Sequence, residues 1–316
     1  MAVHRDALDV AGPDFIGRIN QQSARTTSEE WPTTGDWLAV HRISKSIAAI
    51  YPRVSLFKRR SAGSTGRVQL IAANVDTVFF VTSANQDFNV ARIERYLALA
   101  QEAGVTPVIV LTKADLSPDV APYADQIRKI RDDLAVVAID ARAGTAAGHL
   151  APWLHTGKTI ALMGSSGVGK STIVNSLRGE VIQQTQGIRE GDARGRHTTS
   201  GRSMHRLSSG AWLMDTPGMR ELQIVDATSG IDAVFDDVAL LCQQCRFSDC
   251  SHSNEPGCAV APALANGTLD PLRLQRFLKL QTEDRANSAH VPYAKKRRLT
   301  KSQRRFSTDK LVQSDD

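Results

Sequence analysis

No apolar run in this 316-residue sequence is longer than a β-strand requires. A helix that crosses a bilayer needs roughly 20 consecutive apolar residues, so the sequence predicts no membrane span. Residues 1–6 also lack the apolar core of an export signal. We therefore expect a cytoplasmic protein that has no membrane partner.

Cysteine is scarce, and all four cysteines lie between residues 242 and 258. In a chain without an export signal, such a cluster favours a metal site over disulfide bonds. The remaining composition, 41% hydrophobic and 23% charged, is typical of a folded globular protein. A chain of this length can form two or three domains, one of which buries a sizeable core.

Acidic residues are scarce near the C-terminus, although the whole chain carries a formal net charge of only +6. Residues 292–310 contain eight Lys or Arg side chains and a single acid, Asp309. Such a block repels itself and attracts phosphate-rich partners. We expect residues 292–316 to form a disordered basic tail.

Three segments precede this tail. Residues 1–66 contain short β-like pieces between turn residues, which suggests a small antiparallel barrel, or an irregular extension. Residues 67–230 alternate strands with helices, and their continuous apolar strands predict an α/β domain with a parallel sheet. Residues 231–291 combine the cysteine cluster with a predicted helix near 270–284.

Residues 164–171, Gly-Ser-Ser-Gly-Val-Gly-Lys-Ser, match the whole phosphate-loop pattern G-x-x-x-x-G-K-[ST]. They lie between a predicted strand and a predicted helix, where backbone N–H groups can surround a β-phosphate. Lys170 is predicted to bridge the β- and γ-phosphates and Ser171 to bind Mg²⁺. The predicted phosphate-binding residues are Gly164, Ser165, Ser166, Gly167, Val168, Gly169, Lys170, Ser171 and Thr172.

A second phosphate motif, Asp-Thr-Pro-Gly, occupies residues 215–218, directly after a strand-like segment. Asp215 is placed to hold Mg²⁺ through water, and the Gly218 amide to approach the γ-phosphate. On its own this tetrapeptide is an ordinary turn. Its position about 45 residues after the phosphate loop favours a role in nucleotide hydrolysis.

Guanine specificity is predicted from Thr112, Lys113, Ala114 and Asp115, which follow an apolar strand and resemble the Asn-Lys-x-Asp motif of GTPases. The Asp115 carboxylate can accept hydrogen bonds from guanine N1–H and the 2-amino group, and adenine offers neither donor. A second base contact is predicted at 140–142, where Ala141 fits the usual pattern and Asp140 departs from it. Both base motifs precede the phosphate loop, so the motifs are circularly permuted.

Cys245, Cys250, His252 and Cys258 have the spacing C-x4-C-x-H-x5-C, which predicts a closed tetrahedral Zn²⁺ site with a structural role. Cys242 is a competing ligand, because Cys242-x-x-Cys245 is also a plausible metal-binding pair. Cys242 also continues the apolar run 238–241, which favours a buried, uncoordinated thiol.

The sequence resembles the bacterial ribosome small-subunit-dependent GTPase A family over nearly its whole length. The resemblance rests on segments 35–40, 73–76, 112–115, 164–172, 195–199, 215–218 and 245–258. It implies an OB-type barrel at 1–66, a permuted GTPase domain at 67–230 and a zinc-binding, mainly helical domain at 231–291. It also implies a monomer that binds GTP or GDP with Mg²⁺, binds the small ribosomal subunit and its rRNA late in maturation, and leaves on GTP hydrolysis.

The residue that orients the attacking water is not the usual one, because Met219 stands where GTPases carry a Gln after the motif glycine. His197 is the candidate that the resemblance implies, with Thr198 and Thr199 reaching Mg²⁺ and the γ-phosphate. The alternative for His197 is an exposed loop residue that contacts RNA. Three other functions stay open: a GTP-dependent switch with a protein partner, an RNA-binding module that GTP stabilises, and a paralogue with altered ribosome contacts.

Overall fold

The computed structural model describes residues 2–4, 7–12, 15–20, 31–60, 68–179, 202–215, 222–253 and 255–288. The strands in these ranges are β1 (Ala2–Val3), β2 (Ala7–Ala11), β3 (Ile16–Asn20), β4 (Leu38–Val40), β5 (Ile47–Ile50), β6 (Leu56–Arg60), β7 (Val68–Ala73), β8 (Thr77–Ser83), β9 (Thr106–Thr112), β10 (Ala135–Ala138), β11 (Thr159–Met163), β12 (Arg202–Arg206) and β13 (Trp212–Asp215). The α-helices are α1 (Val90–Ala103), α2 (Ala121–Arg128), α3 (Ala146–Leu150), α4 (Lys170–Arg178), α5 (Thr228–Val234), α6 (Asp236–Gln243), α7 (Val260–Ala265) and α8 (Pro271–Ser288).

The centre of the protein is a nine-stranded sheet with the order β10-β9-β8-β11-β13-β12-β1-β2-β3. Its first five strands are parallel, and β12 runs antiparallel to β13. All seven residues of β8 are buried, as expected for a strand that helices cover on both faces. The predicted α/β fold with a parallel sheet is confirmed.

Two apolar cores lie on the two faces of this sheet. The neighbouring residues Phe79 and Phe80 point to opposite faces, and each enters a different core. Phe80 packs on the face covered by α1 and the C-terminal helices, where its ring stacks on Tyr96 at 5.1 Å between centroids. Phe79 packs on the face covered by α3 and α4. Strand alternation thus separates α3 and α4, on one face of the sheet, from α1 and the C-terminal helices on the other.

The N-terminal region is β-rich, but its strands belong to different sheets. Strands β4 and β5, and strands β6 and β7, form two antiparallel pairs at the position of the expected small barrel. In contrast, β1 pairs with β12, so β1, β2 and β3 extend the large sheet. The pairing of β6 with β7 also crosses the predicted domain boundary at residue 66. The domain limits themselves therefore stay a prediction.

The C-terminal region is mainly helical, and α8 matches the helix predicted near 270–284. It packs against α1, whose Glu94 is fully buried and accepts hydrogen bonds from Arg276 at 2.6 Å and Arg273 at 3.3 Å. Burial raises the pKa of Glu94, and the hydrogen bond from Arg276 opposes that rise. Among the described residues, no helix is long and apolar enough to cross a membrane.

Candidate nucleotide site and metal centre

The phosphate loop joins β11 to α4, as predicted, and its backbone geometry requires glycine at two points. Gly164 has φ 157°, and a Cβ there would lie 2.2 Å from the carbonyl oxygen of Val81. Gly169 has φ 95°, in the left-handed region, and precedes the first residue of α4. These two glycines let the loop turn sharply over the end of the sheet, so that its N–H groups lie at the N-terminus of α4.

Lys170 begins α4, and its side chain folds back over the phosphate loop. The Nζ atom donates to the carbonyl oxygen of Gly164 at 2.8 Å and also to that of Ser165. The residue is only 9% exposed, so its charge is held close to the loop. A phosphate carries full negative charge and is a stronger acceptor for this ammonium group than either carbonyl.

The guanine motif begins at Thr112, the last residue of β9. Its hydroxyl donates to the carbonyl oxygen of Val168 in the phosphate loop at 2.6 Å and lies 3.2 Å from the carbonyl oxygen of Thr82. Thr112 is fully buried. The first residue of the base motif is therefore bonded directly to the phosphate loop, 56 residues away in sequence.

The two base motifs lie side by side. Lys113 adopts a left-handed conformation with φ 57°, and a short 3-10 turn, Ala114–Leu116, follows it. The Asp115 side chain is exposed to solvent, where a base can reach it. The Ala114 N–H donates to the carbonyl oxygen of Ile139 at 3.4 Å, next to the second motif. The atypical Asp140 accepts from the Arg142 N–H at 2.8 Å and so stabilises its own turn.

Because β8, β9, β11 and β13 are parallel, their carboxyl ends meet at one edge of the sheet. This edge holds Thr112, Gly164 and the backbone of Asp215, the last residue of β13. Ligands bind at such an edge in open α/β sheets. The predicted residues His197, Thr198, Thr199 and Gly218 lie outside the described residues, as does Met219.

The candidate metal centre is the predicted set Cys245, Cys250, His252 and Cys258, which the fold brings together as a cluster that could hold a metal ion. One ligand atom from each of these residues lies within 4.8 Å of all the others. Two of the sulfurs accept backbone hydrogen bonds at 3.4 Å, Cys245 from Ala259 and Cys258 from Ala261. Burial raises the pKa of the Cys258 thiol, but hydrogen bonds, first among them that from the Ala261 N–H, outweigh burial and lower the pKa overall. Three sulfurs and one imidazole fit a closed tetrahedral site.

The orientation of His252 assigns different roles to its two ring nitrogens. Its φ of 62° is left-handed, and Nδ1 lies 3.6 Å from the Cys245 sulfur and 3.7 Å from that of Cys258. Nε2 instead lies 3.3 Å from the sulfur of Cys242. Burial raises the pKa of the Cys242 thiol to about 11, so it stays protonated at neutral pH. Cys242 therefore lies where a hydrogen-bond partner of a metal-bound imidazole lies in other metal sites.

Sequence reasoning missed two functional contacts at these sites. The sequence indicated only that Thr112 occupies the position of the usual Asn. Its hydrogen bond to Val168 joins two segments that are distant in sequence and that only the fold brings together. The bond between Cys242 and His252 was also not predicted from the sequence. The position of Cys242, three residues before the first predicted ligand, could have indicated it.

Several known proteins are similar to this chain in sequence. A family model described as RsgA GTPase matches residues 50–225. "Small ribosomal subunit biogenesis GTPase RsgA" of Mesorhizobium japonicum is 49% identical over 90% of this chain and 83% of its own length. The protein of the same name from Methanosarcina acetivorans is 40% identical over 89% of this chain and 77% of its own.

Two solved structures are similar to the fold. YjeQ from Thermotoga maritima has a TM-score of 0.51 and 27% identity, and the match covers 75% of this chain and 78% of that chain. YloQ, titled a circularly permuted GTPase, has a TM-score of 0.56 and 22% identity, over 89% of this chain and 91% of that chain. The family model spans more than half of the sequence, and the curated relatives match most of it. The chain belongs to the RsgA GTPase family.

Proposed function

We propose that this protein hydrolyses GTP and acts in the maturation of the small ribosomal subunit. The observation that supports the proposal is the bond between Thr112 and Val168, because it connects the segment predicted to bind guanine with the segment predicted to bind phosphate. Curated relatives at 40–49% identity are named small ribosomal subunit biogenesis GTPases.

Each part of the site has a role in this reaction. The Gly164–Thr172 segment binds the phosphates, with Lys170 neutralising charge on the β- and γ-phosphates. The Thr112–Asp115 segment reads guanine through the exposed carboxylate of Asp115. Ser171, Thr198 and Asp215 would hold Mg²⁺, which would supply positive charge to neutralise the phosphates.

Hydrolysis needs a group that orients water, and Met219 is unable to donate or accept the necessary hydrogen bonds. His197 takes this role, and Thr198 and Thr199 contact the γ-phosphate with their hydroxyl and backbone groups. Because Met219 replaces the usual Gln, the intrinsic rate of the isolated protein is low. Binding to the small subunit then raises the rate, and hydrolysis releases the protein.

Zinc is the metal that fits the Cys3His cluster, because three thiolates and an imidazole suit Zn²⁺ and leave no open position for catalysis. Its role is structural. The helices α6 and α7 flank the cluster, and each is at most eight residues long. Metal binding therefore stabilises a region with a small apolar core of its own.

The partner is the small ribosomal subunit, bound through its rRNA, and the protein acts as a cytoplasmic monomer. The basic residues of 292–310 support an RNA partner, because Lys and Arg side chains neutralise backbone phosphates.

The test compares GTP hydrolysis by the full chain with and without purified small ribosomal subunits. Strong acceleration by small subunits, and none by large subunits, is the expected result. A rate that does not respond to small subunits would contradict the proposal and would point to a GTP-dependent switch with a protein partner. ATP serves as the control nucleotide and is expected to be hydrolysed negligibly.

A further inference from the structure

The exposed apolar side chains of the described residues are concentrated around β4 and β5. Half of the large ones lie between residues 31 and 54, and these are Trp31, Trp37, Ile43, Tyr51 and Val54. Such a concentration is typical of a surface that binds a partner. The region lies outside the phosphate loop, the base motifs and the cysteine cluster, so the sites described above do not account for it.

Trp37 and Tyr51 are the two aromatic residues at the end of this strand pair. Because Leu38 pairs with Ile50, Trp37 and Tyr51 lie directly opposite each other. The Tyr51 N–H donates to the carbonyl oxygen of Trp37 at 2.9 Å. Residues that face each other across antiparallel strands point their side chains to the same face, with Cα atoms about 5.5 Å apart. Since Trp37 is 68% and Tyr51 is 56% exposed, this face carries two neighbouring rings in contact with solvent.

The same face of the strands carries only small side chains next to the two rings. Two residues further along each strand, the opposing pair is Ala39 and Ala49. Ala49 is exposed, and a methyl group extends much less far from the sheet than an aromatic ring. A planar group can therefore stack on Trp37 or Tyr51 without meeting a large side chain from these positions.

A buried ion pair holds the backbone beside the two rings. Asp36, which precedes Trp37, accepts hydrogen bonds from the Arg53 side chain at 2.8 Å and 2.9 Å. It also accepts from the Thr33 N–H at 2.7 Å, and its side chain is only 1% exposed. Arg53 in turn lies two residues after Tyr51. The ion pair therefore ties the two ends of the strand pair together, which reduces the conformational entropy that a partner would cost on binding.

The charge of this region favours a partner that is rich in phosphate. Residues 37–54 contain no Asp or Glu, and their basic residues are His41, Arg42, Lys45 and Arg53. His41 and Arg42 are exposed in the turn that follows β4. Exposed aromatic rings beside basic side chains are the combination that binds single-stranded nucleic acid, because bases stack on the rings and cations contact the phosphates.

We propose that the β4–β5 surface, formed by Trp37, Tyr51 and Arg42, binds unpaired nucleotides of RNA. Two successive bases stack on Trp37 and Tyr51, and Arg42 contacts the phosphates. The inference rests on the proposed function, to which it adds the surface that binds the RNA partner. In a duplex the bases remain paired and stacked on one another, so this surface discriminates against double-stranded RNA.

The experiment measures the binding of a fluorescein-labelled single-stranded oligouridylate to the full chain by fluorescence anisotropy. A length of about 12 nucleotides lies within the range that one small barrel binds. Trp37→Ala and Tyr51→Ala are each expected to raise the Kd at least about fivefold, as for the loss of one stacked base. Because both side chains are exposed, neither variant is expected to unfold the protein.

Trp37→Phe keeps an aromatic ring and is expected to restore most of the affinity. It also provides a spectroscopic readout. The oligonucleotide is expected to quench the tryptophan emission of the wild-type protein, because a stacked base contacts the indole of Trp37. In Trp37→Phe this quenching is expected to be smaller, although binding persists.

Two further variants separate stacking from charge. Arg42→Ala is expected to weaken binding and to make it less dependent on salt, because one phosphate contact is lost. The two alanine variants of the aromatic residues are expected to keep the salt dependence of the wild type. The matched control is Leu272→Ala, which removes an apolar side chain that is 60% exposed on α8, and it is expected to bind like the wild type.

Failure of the wild-type chain to bind the oligonucleotide, or wild-type affinity in both alanine variants, would overturn the proposal. So would equally tight binding of the oligonucleotide paired with its complement, with the same losses in the variants. If the variants bind the oligonucleotide normally but bind small subunits weakly, the surface contacts a protein instead. None of the oligonucleotide measurements depends on GTP. Small subunits that do not stimulate GTP hydrolysis would therefore contradict the proposed function and leave this inference standing.

Discussion

The hydroxyl of Thr112 donates a hydrogen bond to the carbonyl oxygen of Val168, with 2.6 Å between the two oxygens. This bond joins the end of the guanine-motif strand to the phosphate loop inside a fully buried environment. The bond therefore ties together the two segments proposed to bind the base and the phosphates. The hydroxyl of Thr does this where GTPases usually carry the longer amide of Asn.

Replacing Thr112 with Val removes this bond and keeps the shape of the side chain. The Val168 carbonyl then loses a buried partner, which costs about 1–3 kcal/mol. We expect the Kd values of GTP and GDP to rise together by roughly tenfold or more, as measured by fluorescent nucleotide titration. Thr112→Ser retains the hydroxyl and is the control. Equal affinities in the Val and Ser variants would show that the bond does not organise the site.

Nucleotide choice is expected to depend on Asp115. Its side chain is exposed, so Asp115→Asn is expected to leave the fold intact. The substitution replaces one acceptor with a donor, and guanine loses a hydrogen-bond pair worth about 2–3 kcal/mol. Competition binding with GTP, ATP and xanthosine triphosphate measures the effect. An unchanged preference for GTP over ATP would contradict the assignment of Asp115 to base recognition.

Zinc content is expected to distinguish Cys250, a predicted ligand, from Cys242, the competing candidate. Cys250→Ser removes a ligand, so we expect stoichiometric zinc to be lost, together with the stability of residues 231–288. Nucleotide affinity is expected to change little, because the phosphate loop lies on the large sheet. Elemental analysis measures the zinc content, and GDP titration measures the nucleotide affinity.

Cys242→Ser is the companion variant. A Ser hydroxyl can still accept a hydrogen bond from Nε2 of His252, so zinc is expected to stay bound. Loss of zinc in this variant would show that Cys242, and not one of the other three cysteines, is a ligand. Wild-type protein without stoichiometric zinc would exclude the structural zinc site altogether.

His197 is predicted to orient the attacking water when the small subunit is bound. His197→Ala is then expected to reduce the stimulated hydrolysis rate at least tenfold, in the range of a lost proton-transfer or water-orienting group. GTP affinity and GTP-dependent binding to the small subunit are expected to remain, so the variant stays bound. Full stimulated turnover in His197→Ala would refute this role and would direct attention to a group of the rRNA.

Removing the chain after about residue 290 tests the basic tail separately. Binding to the small subunit is expected to weaken, most strongly at low salt, because eight Lys or Arg side chains are lost with the tail. The unstimulated hydrolysis rate is expected to stay the same. A truncated chain with unchanged, equally salt-sensitive binding would exclude the tail from the contact with rRNA.

Sequence alone determined the features whose chemistry is local. The phosphate loop needs glycines and a lysine within eight residues, and the metal cluster needs four ligands within fourteen. The order of the motifs revealed the circular permutation without any coordinates. Buried strands such as β8 and β9 were also evident, because a strand covered on both faces has to be apolar throughout.

Only the tertiary structure decided which distant groups meet. The sequence of strands β1–β3 has little apolar pattern that could indicate their partner. The strand β1 pairs with β12, and not with strands β4 to β7, through backbone N–H and C=O groups that nearly every residue has. Thr112 reaches Val168, and Asp284 reaches Ala227, across 56 and 57 residues. From the sequence alone, a side-chain hydroxyl or carboxylate could form hydrogen bonds with many different groups. Its partner is selected by burial, because a polar group removed from water has to bond to whatever the fold places beside it.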